Sequence, residues 1–204
     1  VASDRAADDQ FGYSVSIRSD KAIVGAPLED QDSSGDANIS NSGSAYVFEL
    51  DVLGAWNQKA KLVASDRAAS DYFGCSVSIS GDKVIVGSIF EDENASGVGN
   101  MESSGSAYVF ELDSSGVWNQ TQKLVASDRA AGDYFGQSVG VSVDKIIVGA
   151  PFEDECASGG YNMSSSGSVY IFELDSSGFW NQTQKLVASD RAADDQFGYS
   201  VSIR

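Results

Sequence analysis

Polar and apolar residues alternate along several short segments of this 204-residue chain, and no segment has the longer period of a helix. Residues 14–17 read Ser-Val-Ser-Ile, and after a turn at Ser19 and Asp20, residues 22–25 form a nearly continuous apolar run. Alternation and short apolar runs bounded by turn residues are typical of β-strands. The two segments therefore predict a β-hairpin.

Two further strands are predicted in the same stretch of sequence. A loop rich in Gly, Ser, Asp and Asn at residues 28–44 precedes clear two-residue alternation at residues 45–50. After a turn near Gly54, a last strand is predicted from Trp56 to Leu62. The pattern describes four antiparallel strands, a buried inner pair and a more polar outer pair.

This pattern returns every 62 residues, so the chain is a tandem repeat. The clearest marker of the period is a Phe-Gly pair, which occurs at Phe11-Gly12, Phe73-Gly74, Phe135-Gly136 and Phe197-Gly198. Residues 187–204 match residues 1–18 letter for letter, whereas the openings of the second and third copies differ from them. The larger period is therefore three repeats.

Four antiparallel strands per repeat predict an all-β protein built from tandem blades of β-propeller type. Small residues in the first strand of each repeat suit the crowded axis of such a ring: Ser14, Ser16, Ser76, Ser78 and Gly140. The predicted divisions are a lead-in at 1–10 (the end of a preceding outer strand), blades at 11–72, 73–134 and 135–196, and the first strand of a fourth blade at 197–204.

Three blades are too few to close a propeller, which uses about 4 to 8. Either two or more such units, in one longer polypeptide or in several chains, complete a ring, or the units join head to tail in an open array and form a filament. Both alternatives predict self-association. Because the chain begins at Val1 without Met or a signal-like stretch, we expect it to be a mature portion or one section of a longer protein.

The charge excludes several partners. A formal net charge of −17 repels nucleic acid and anionic membrane surfaces, so neither is expected to bind. No apolar run approaches the ~20 residues of a membrane span, and membrane insertion is not expected. An acidic surface suits a secreted, highly soluble protein.

The residues that acid–base catalysis needs are sparse or copied into every repeat. The chain has no His, and no phosphate-binding Gly-Lys-Ser/Thr motif occurs. One aspartate recurs two residues before each repeated Phe, at Asp9, Asp71, Asp133 and Asp195. We expect it to cap a turn, and we expect the repeated Ser-Asp-Arg to form an inter-blade ion pair. No enzymatic activity is predicted.

The motifs resemble the FG-GAP repeat. Beside the Phe-Gly pairs, Gly-Ala-Pro occurs at residues 25–27 and 149–151 and is relaxed to Gly-Ser-Ile at 87–89. The resemblance covers the whole chain. This repeat builds the seven-bladed propeller of integrin alpha subunits, so the resemblance implies extracellular adhesion or recognition without catalysis.

Calcium is a possible cofactor, but the family's calcium site cannot be carried over to this chain. Integrin blades carry calcium in a long loop between their first two strands, but here that hairpin is too short. The loop after Gly-Ala-Pro has weak EF-hand-like spacing, with candidate ligands Asp30, Asp32, Ser34, Asp92, Asn94, Ser96 and Asp154. Ser replaces the usual acid and the closing Glu is missing, so a solvated turn-forming loop is the preferred interpretation and a calcium site the alternative.

Five positions satisfy the Asn-x-Ser/Thr rule for N-linked glycans: Asn38, Asn94, Asn119, Asn162 and Asn181. Three lie in the long loop and two follow the Trp of the outermost strand. The only cysteines, Cys75 and Cys156, are expected on one face of adjacent blades. An inter-blade disulfide and two separate thiols are both open.

These observations predict an extracellular, glycosylated repeat protein with a structural or adhesive role, as the repeating unit of a surface filament or of a larger propeller assembly. The alternative is an integrin-like head that recognises an extracellular protein or glycan ligand through the loops after Gly-Ala-Pro.

Overall fold

The structure is a computed structural model, and it describes residues 2–4, 6–31, 38–93, 101–154 and 163–204. Its strands form three separate four-stranded antiparallel sheets, one for each repeat. No helix occurs in these ranges. The predicted all-β class and the tandem propeller-type blades are therefore confirmed.

Strand order within each sheet follows the sequence, so each blade is a simple meander. Blade 1 contains β1 (Ser14–Arg18), β2 (Lys21–Ala26), β3 (Ser44–Leu50) and β4 (Trp56–Leu62). Blade 2 contains β5 (Ser76–Ser80), β6 (Lys83–Ser88), β7 (Ser106–Leu112) and β8 (Trp118–Leu124). Blade 3 contains β9 (Ser138–Val141), β10 (Lys145–Ala150), β11 (Ser168–Leu174) and β12 (Trp180–Leu186). Each predicted strand of these three blades exists, with bounds that differ by a few residues at most.

The first strands of the three blades line one common channel, as the inner strands of a propeller do. The channel has a volume of about 360 Å³, and residues 201–204 line it together with β1, β5 and β9. Small side chains are needed here because the inner strands crowd together at the axis. A Cβ built on Gly140 would lie 3.1 Å from a methyl carbon of Ile203.

The fourth repeat begins beside blade 3 but does not yet form a strand. Residues 201–204 line the channel, and residues 197–204 make none of the hydrogen bonds of a β-ladder. The predicted first strand of a next blade is thus in place without being paired. The physical reason is that a first strand is held by the second strand of its own blade, as β1 is held by β2, and no such strand of a fourth blade is among the 204 residues.

Apolar packing runs between the blades as well as within them. Phe73 and Phe135 are fully buried, and each packs edge-on against a Tyr and a Phe of the blade that it opens. The core around Phe73 also contains Ile23, Ala45 and Val47 of blade 1. The repeated Phe is therefore a residue of the junction between two blades.

The repeated tryptophans also lie at the junctions between blades. Trp118 and Trp180 are buried in the clusters that join successive blades. Trp56 occupies the same place in blade 1 but is 41% exposed. The difference arises because blade 1 is the first of the three described blades, and none of them packs on that side of Trp56.

Candidate functional site

The junctions between blades contain a repeated network of ion pairs and hydrogen bonds. At the first junction, Asp66 reaches forward to Lys123 of blade 2, with Oδ2 and Nζ 2.7 Å apart. Arg67 reaches back to blade 1, where it donates to the Asp30 carbonyl at 2.8 Å and to the Ser42 hydroxyl. The repeated Ser-Asp-Arg therefore ties two blades together, as the sequence predicted.

A buried glutamate completes this network. Glu91 is 2% exposed, and its carboxylate accepts the Ser106 hydroxyl at 2.5 Å and lies 2.8 Å from the Lys123 ammonium. Lys123 thus bridges Glu91 and Asp66, which belong to consecutive blades. The buried Glu91 carboxylate and Lys123 ammonium need this pairing because an unpaired buried charge is very unfavourable, and Asp66 is half-buried beside them.

The same network recurs in each repeat, with identical residue types at identical offsets. The glutamates are Glu29, Glu91 and Glu153, the lysines are Lys61, Lys123 and Lys185, and the aspartates are Asp4, Asp66 and Asp128. Sequence reasoning missed the Glu and Lys. The available signal was their fixed recurrence, the Glu two residues after each Gly-Ala-Pro position and the Lys before the last Leu of each blade.

A tyrosine joins each network from the third strand. Tyr170 donates its hydroxyl to Asp128 at 2.9 Å, and Lys185 lies 5.6 Å from the centre of the Tyr170 ring. Burial, with the nearby carboxylates of Asp128 and Glu153, raises the pKa of Tyr170. The phenol is therefore a permanent hydrogen-bond donor at the junction.

The aspartate that precedes each Phe-Gly caps a turn, as predicted. Asp71 accepts the Ala68 backbone N–H at 2.6 Å, and Asp133 accepts that of Ala130 at 2.6 Å. Burial is the main cause that raises the pKa of each of these carboxyls to about 7, and Glu91 and Asp66 add to it at Asp71. These two carboxyls titrate near neutral pH.

Backbone contact explains why Phe-Gly and Gly-Ala-Pro occur together. A Cβ built on Gly25 would lie 2.0 Å from the carbonyl oxygen of Gly74, in the next repeat. The Ser14 hydroxyl donates to the same carbonyl at 2.8 Å. The equivalent approaches are Gly87 to Gly136 and Gly149 to Gly198. Each Phe-Gly therefore rests on the Gly-Ala-Pro position of the preceding blade.

The candidate calcium ligands are placed only in part. Asp30, Asp92 and Asp154 accept backbone N–H groups across the base of the loop, from Asn41, Ser103 and Ser165 at 2.6–2.7 Å. Within the described ranges, no three acidic, Cys or His side chains converge in a way that could hold a metal ion. Asp32, Ser34, Asn94 and Ser96 lie outside the described residues, so the calcium alternative remains a prediction.

Three of the five sequons can be placed. Asn38, Asn119 and Asn181 are exposed, whereas Asn94 and Asn162 lie outside the described residues. The Asn119 amide donates to Asp113 at 2.9 Å and to the Val117 carbonyl at 3.1 Å. Asn57, which has no sequon, makes the same two bonds in blade 1. The asparagine therefore has a turn-forming role that is independent of any glycan.

Cys75 lies at the start of blade 2, with its sulfur 3.9 Å from the Gly136 carbonyl oxygen. Burial raises the pKa of this thiol to about 12, so it is protonated and a poor nucleophile at neutral pH. Cys156 lies outside the described residues. The disulfide between them remains a prediction.

One row of aromatic rings breaks the repeat symmetry. Tyr72, Phe90, Tyr134 and Phe152 pack edge to face in sequence, with ring centres 4.8, 5.3 and 4.9 Å apart. Each ring is half-buried. In the first and last copies of the repeat, the residues equivalent to the two tyrosines are Gln10 and Gln196. The residue equivalent to the phenylalanines in the first copy is Leu28. The row thus runs from Tyr72, at the end of the first repeat, to Phe152 in blade 3, and the outer copies lack it.

The two edges of the blade array differ from its interior. Val15 and Ile17 on β1 are 69% and 66% exposed, whereas Val77 and Ile79 at the same places on β5 are 8% and 3% exposed. Blade 2 buries this surface against blade 1, whereas blade 1 leaves the equivalent surface exposed.

At the other edge, residues 187–204 cover blade 3 as the corresponding segments cover blades 1 and 2. The Phe197 N–H bonds to the Ser166 carbonyl at 3.0 Å, as that of Phe135 bonds to Ser104 at 3.0 Å. The Ser138 hydroxyl donates to Gly198 at 2.8 Å. The segment is docked, yet Phe197 is 37% exposed whereas Phe135 is fully buried.

In the described part of the chain, no helix is long and apolar enough to cross a lipid bilayer. Comparison with known families matches the FG-GAP repeat four times, at residues 1–48, 56–110, 118–172 and 180–204. No curated protein sequence matches the chain.

Two solved structures show distant similarity. A Lactobacillus plantarum protein from a structural genomics programme has 11% identity and a TM-score of 0.48, over 87% of this chain and 42% of that one. A periplasmic gluconolactonase of Pseudomonas aeruginosa has 16% identity and a TM-score of 0.36, over 87% of this chain and 58% of that one. The chain thus spans about half the length of these structures, and no function is transferred from them.

Proposed function

The chain belongs to the FG-GAP repeat family, and we propose that it is a secreted structural or adhesive module that further blades of its own kind extend into a larger propeller-type assembly. On this proposal the module is non-catalytic and carries N-linked glycans. Its partner is another copy of the three-blade unit. The coarser part, a propeller-type repeat protein, follows from the family and the fold.

The observation that carries the proposal is the complementarity of the two edges. The edge of blade 1 exposes Tyr13, Val15 and Ile17 at 63%, 69% and 66%. The edge of blade 3 is covered by residues 187–204, whose sequence is that of the segment opening blade 1. If the blade 1 edge of a further unit is placed against blade 3, both edges become buried. The facing surfaces of blades 1 and 2 are buried against each other in the same way.

A non-catalytic role is supported by the uses of the acidic residues. The carboxylates at the junctions are engaged by Lys, Ser and backbone N–H groups in the same way in each repeat. A catalytic acid and base are instead distinguished from each other by different environments. The repetition of one environment favours a structural role for these acids.

Secretion and glycosylation are tested by peptide mass spectrometry of the protein made in a eukaryotic secretory host, before and after enzymatic deglycosylation. We expect glycan mass on the exposed Asn38, Asn119 and Asn181. Unmodified peptides at all three, from protein recovered in the medium, would contradict the glycoprotein part of the proposal. Electron microscopy of the same material then separates rings from filaments.

A second candidate function is recognition of an extracellular protein or glycan by the loops after Gly-Ala-Pro. The aromatic row favours it, because Phe90 and Phe152 lie at the start of those loops and the row departs from the repeat symmetry. Half-buried aromatic rings in a row offer a surface for stacking. Replacing Tyr72 and Tyr134 by Gln, the residue of the outer copies, is the corresponding test: glycan-array or cell-binding signal should fall while the melting temperature changes little.

A further inference from the structure

At the junction of blades 2 and 3, a lysine amine lies against two carboxyl groups. Lys185 Nζ is 2.7 Å from Oδ2 of Asp128 and 2.9 Å from Oε1 of Glu153. The Lys185 and Glu153 side chains are 9% and 2% exposed. Asp128 follows the last strand of blade 2, and Lys185 lies on β12 of blade 3, 57 positions later. A nucleophile, an acyl carbon and a proton acceptor are thus held together between two blades.

We propose that Lys185 and Asp128 condense to an intramolecular isopeptide bond, with Glu153 carrying the proton, so that a covalent link joins blades 2 and 3. The bond is a modification of the chain by itself, a single event without turnover. It does not depend on the proposed self-assembly.

The same three residue types meet at the other two networks, so each is a candidate for the same bond. The corresponding sets are Asp66, Lys123 and Glu91, and Asp4, Lys61 and Glu29.

The condensation balances without any other reactant. One ammonium proton of Lys185 passes to Oδ2 of Asp128, which gives an amine and a carboxylic acid. The amine lone pair forms the Nζ–Cγ bond. Glu153 takes a second proton from Nζ and returns it to Oδ2, and the Cγ–Oδ2 bond breaks to release water. Oδ1 remains as the amide oxygen, and Glu153 is again a carboxylate.

A tyrosine stands where charge develops in this reaction. Tyr170 donates its hydroxyl to Oδ1 of Asp128 at 2.9 Å, on the oxygen that becomes negative when Nζ attacks Cγ. A donor already aimed at such an oxygen lowers the barrier. The Tyr170 ring also lies 5.6 Å from Lys185 Nζ and covers one side of the amine. Fixed contact between the reacting groups replaces a bimolecular encounter.

The two carboxyl groups have different surroundings, as their different roles require. Glu153 is buried and accepts the Ser168 hydroxyl at 2.5 Å, so its position beside Nζ is fixed. The Asp128 side chain is 29% exposed, which gives the released water a way out. Burial lowers the pKa of Lys185, but the two carboxylates raise it, and the net shift is upward. The neutral amine is therefore a minor species, and we expect the bond to form slowly in the folded chain.

The test is the intact mass of the unmodified chain, denatured after long incubation in the folded state. We expect the mass to fall by one water for each bond formed. Trypsin does not cleave after an acylated lysine, so the digest should contain residues 124–129 attached to Lys185 within a peptide of residues 146–191. The Lys145–Glu173 pair is the internal control, because its atoms are also 2.7 Å apart but both side chains are exposed. No branched peptide is expected there.

Three variants assign the roles. Lys185→Arg keeps the cation but removes the amine, and Glu153→Gln removes the proton acceptor. Each should retain one water more than the unmodified chain and lose the branched peptide. Tyr170→Phe should form the bond about a hundredfold more slowly. Circular dichroism checks that each variant is folded.

Full mass in the folded, unmodified chain, with no branched peptide, would overturn the proposal. A water loss that maps within one linear peptide would also overturn it, since cyclisation of an aspartate loses water too. A branched peptide that persists in folded Glu153→Gln would show that Glu153 does not carry the proton. If Glu153→Gln does not fold, the unmodified chain and Lys185→Arg still decide whether the bond exists.

Discussion

Gly25 and Gly74 lie in direct backbone contact although they belong to successive repeats: a Cβ on Gly25 would come 2.0 Å from the Gly74 carbonyl oxygen. Gly74 itself has a φ of 95°, which L side chains rarely adopt. The two motifs that mark the repeat are therefore the two halves of one inter-blade contact.

The close packing at this junction predicts that Gly136→Ala destabilises the protein strongly, by about 3 kcal/mol, because a Cβ on Gly136 would lie 2.5 Å from the Ser106 carbonyl oxygen. Gly116→Ala is the control: Gly116 has a similar φ to Gly136 but no atom within 4 Å of its Cβ position. Urea unfolding gives both free energies. Equal losses for the two variants would show that φ, and not the contact, decides the cost.

The buried ion network predicts a large effect for Lys123→Met. The substitution leaves Glu91 and Asp66 without their shared cation, and the expected loss of unfolding free energy is about 3 kcal/mol. Lys145→Met is the matched control, because the Lys145–Glu173 pair is 44% and 46% exposed and solvated. A loss for Lys123→Met as small as that of the control would contradict the structural role of the network.

The elevated pKa values of Asp71 and Asp133, about 7, predict that stability falls between pH 5 and pH 8. An unfolded Asp has a pKa of about 4, so the folded protein holds the extra protons in this window. Their contribution is fully present below pH 4 and is lost as the pH rises through 7. The melting temperature should therefore be lower at pH 8 than at pH 5.

The double variant Asp71→Asn and Asp133→Asn should flatten this pH profile, since Asn still accepts the Ala68 and Ala130 N–H groups but does not titrate. Asp195→Asn replaces the exposed equivalent and serves as the control. A double variant with the same pH dependence as the unmodified protein would assign the effect to other groups.

The loop after Gly-Ala-Pro predicts no response to calcium. Asp30, Asp92 and Asp154 already accept backbone N–H groups that close the loop, which suits a turn-forming role. The melting temperature should be the same with calcium as with a chelator. A rise on adding calcium, removed by Asp30→Asn together with Asp92→Asn, would instead support the metal alternative.

The strands and the blade periodicity could be predicted from sequence because alternation and turn residues are local signals. The predicted outer strand from Trp56 to Leu62 matches β4 residue for residue. The recurrence of Asp71 correctly indicated a turn cap. These features depend on neighbours in sequence or on the repeat itself.

The junction network could not be predicted in the same way, because its members lie far apart in sequence. Lys123 meets Asp66 from 57 positions away, and nothing local to either residue indicates the other. The burial of Glu91 depends on how closely two blades approach, which the alternation pattern does not specify. The aromatic row from Tyr72 to Phe152 likewise arises only once the blades are placed side by side.

On the proposed function, the exposed edges of the array join one molecule to another, and sedimentation equilibrium of the unmodified chain measures this association. The exposed Val15 and Ile17 and the docked residues 187–204 predict an average mass that rises with concentration in multiples of one chain. A mass that stays at that of one folded chain over the whole accessible concentration range would contradict the claim.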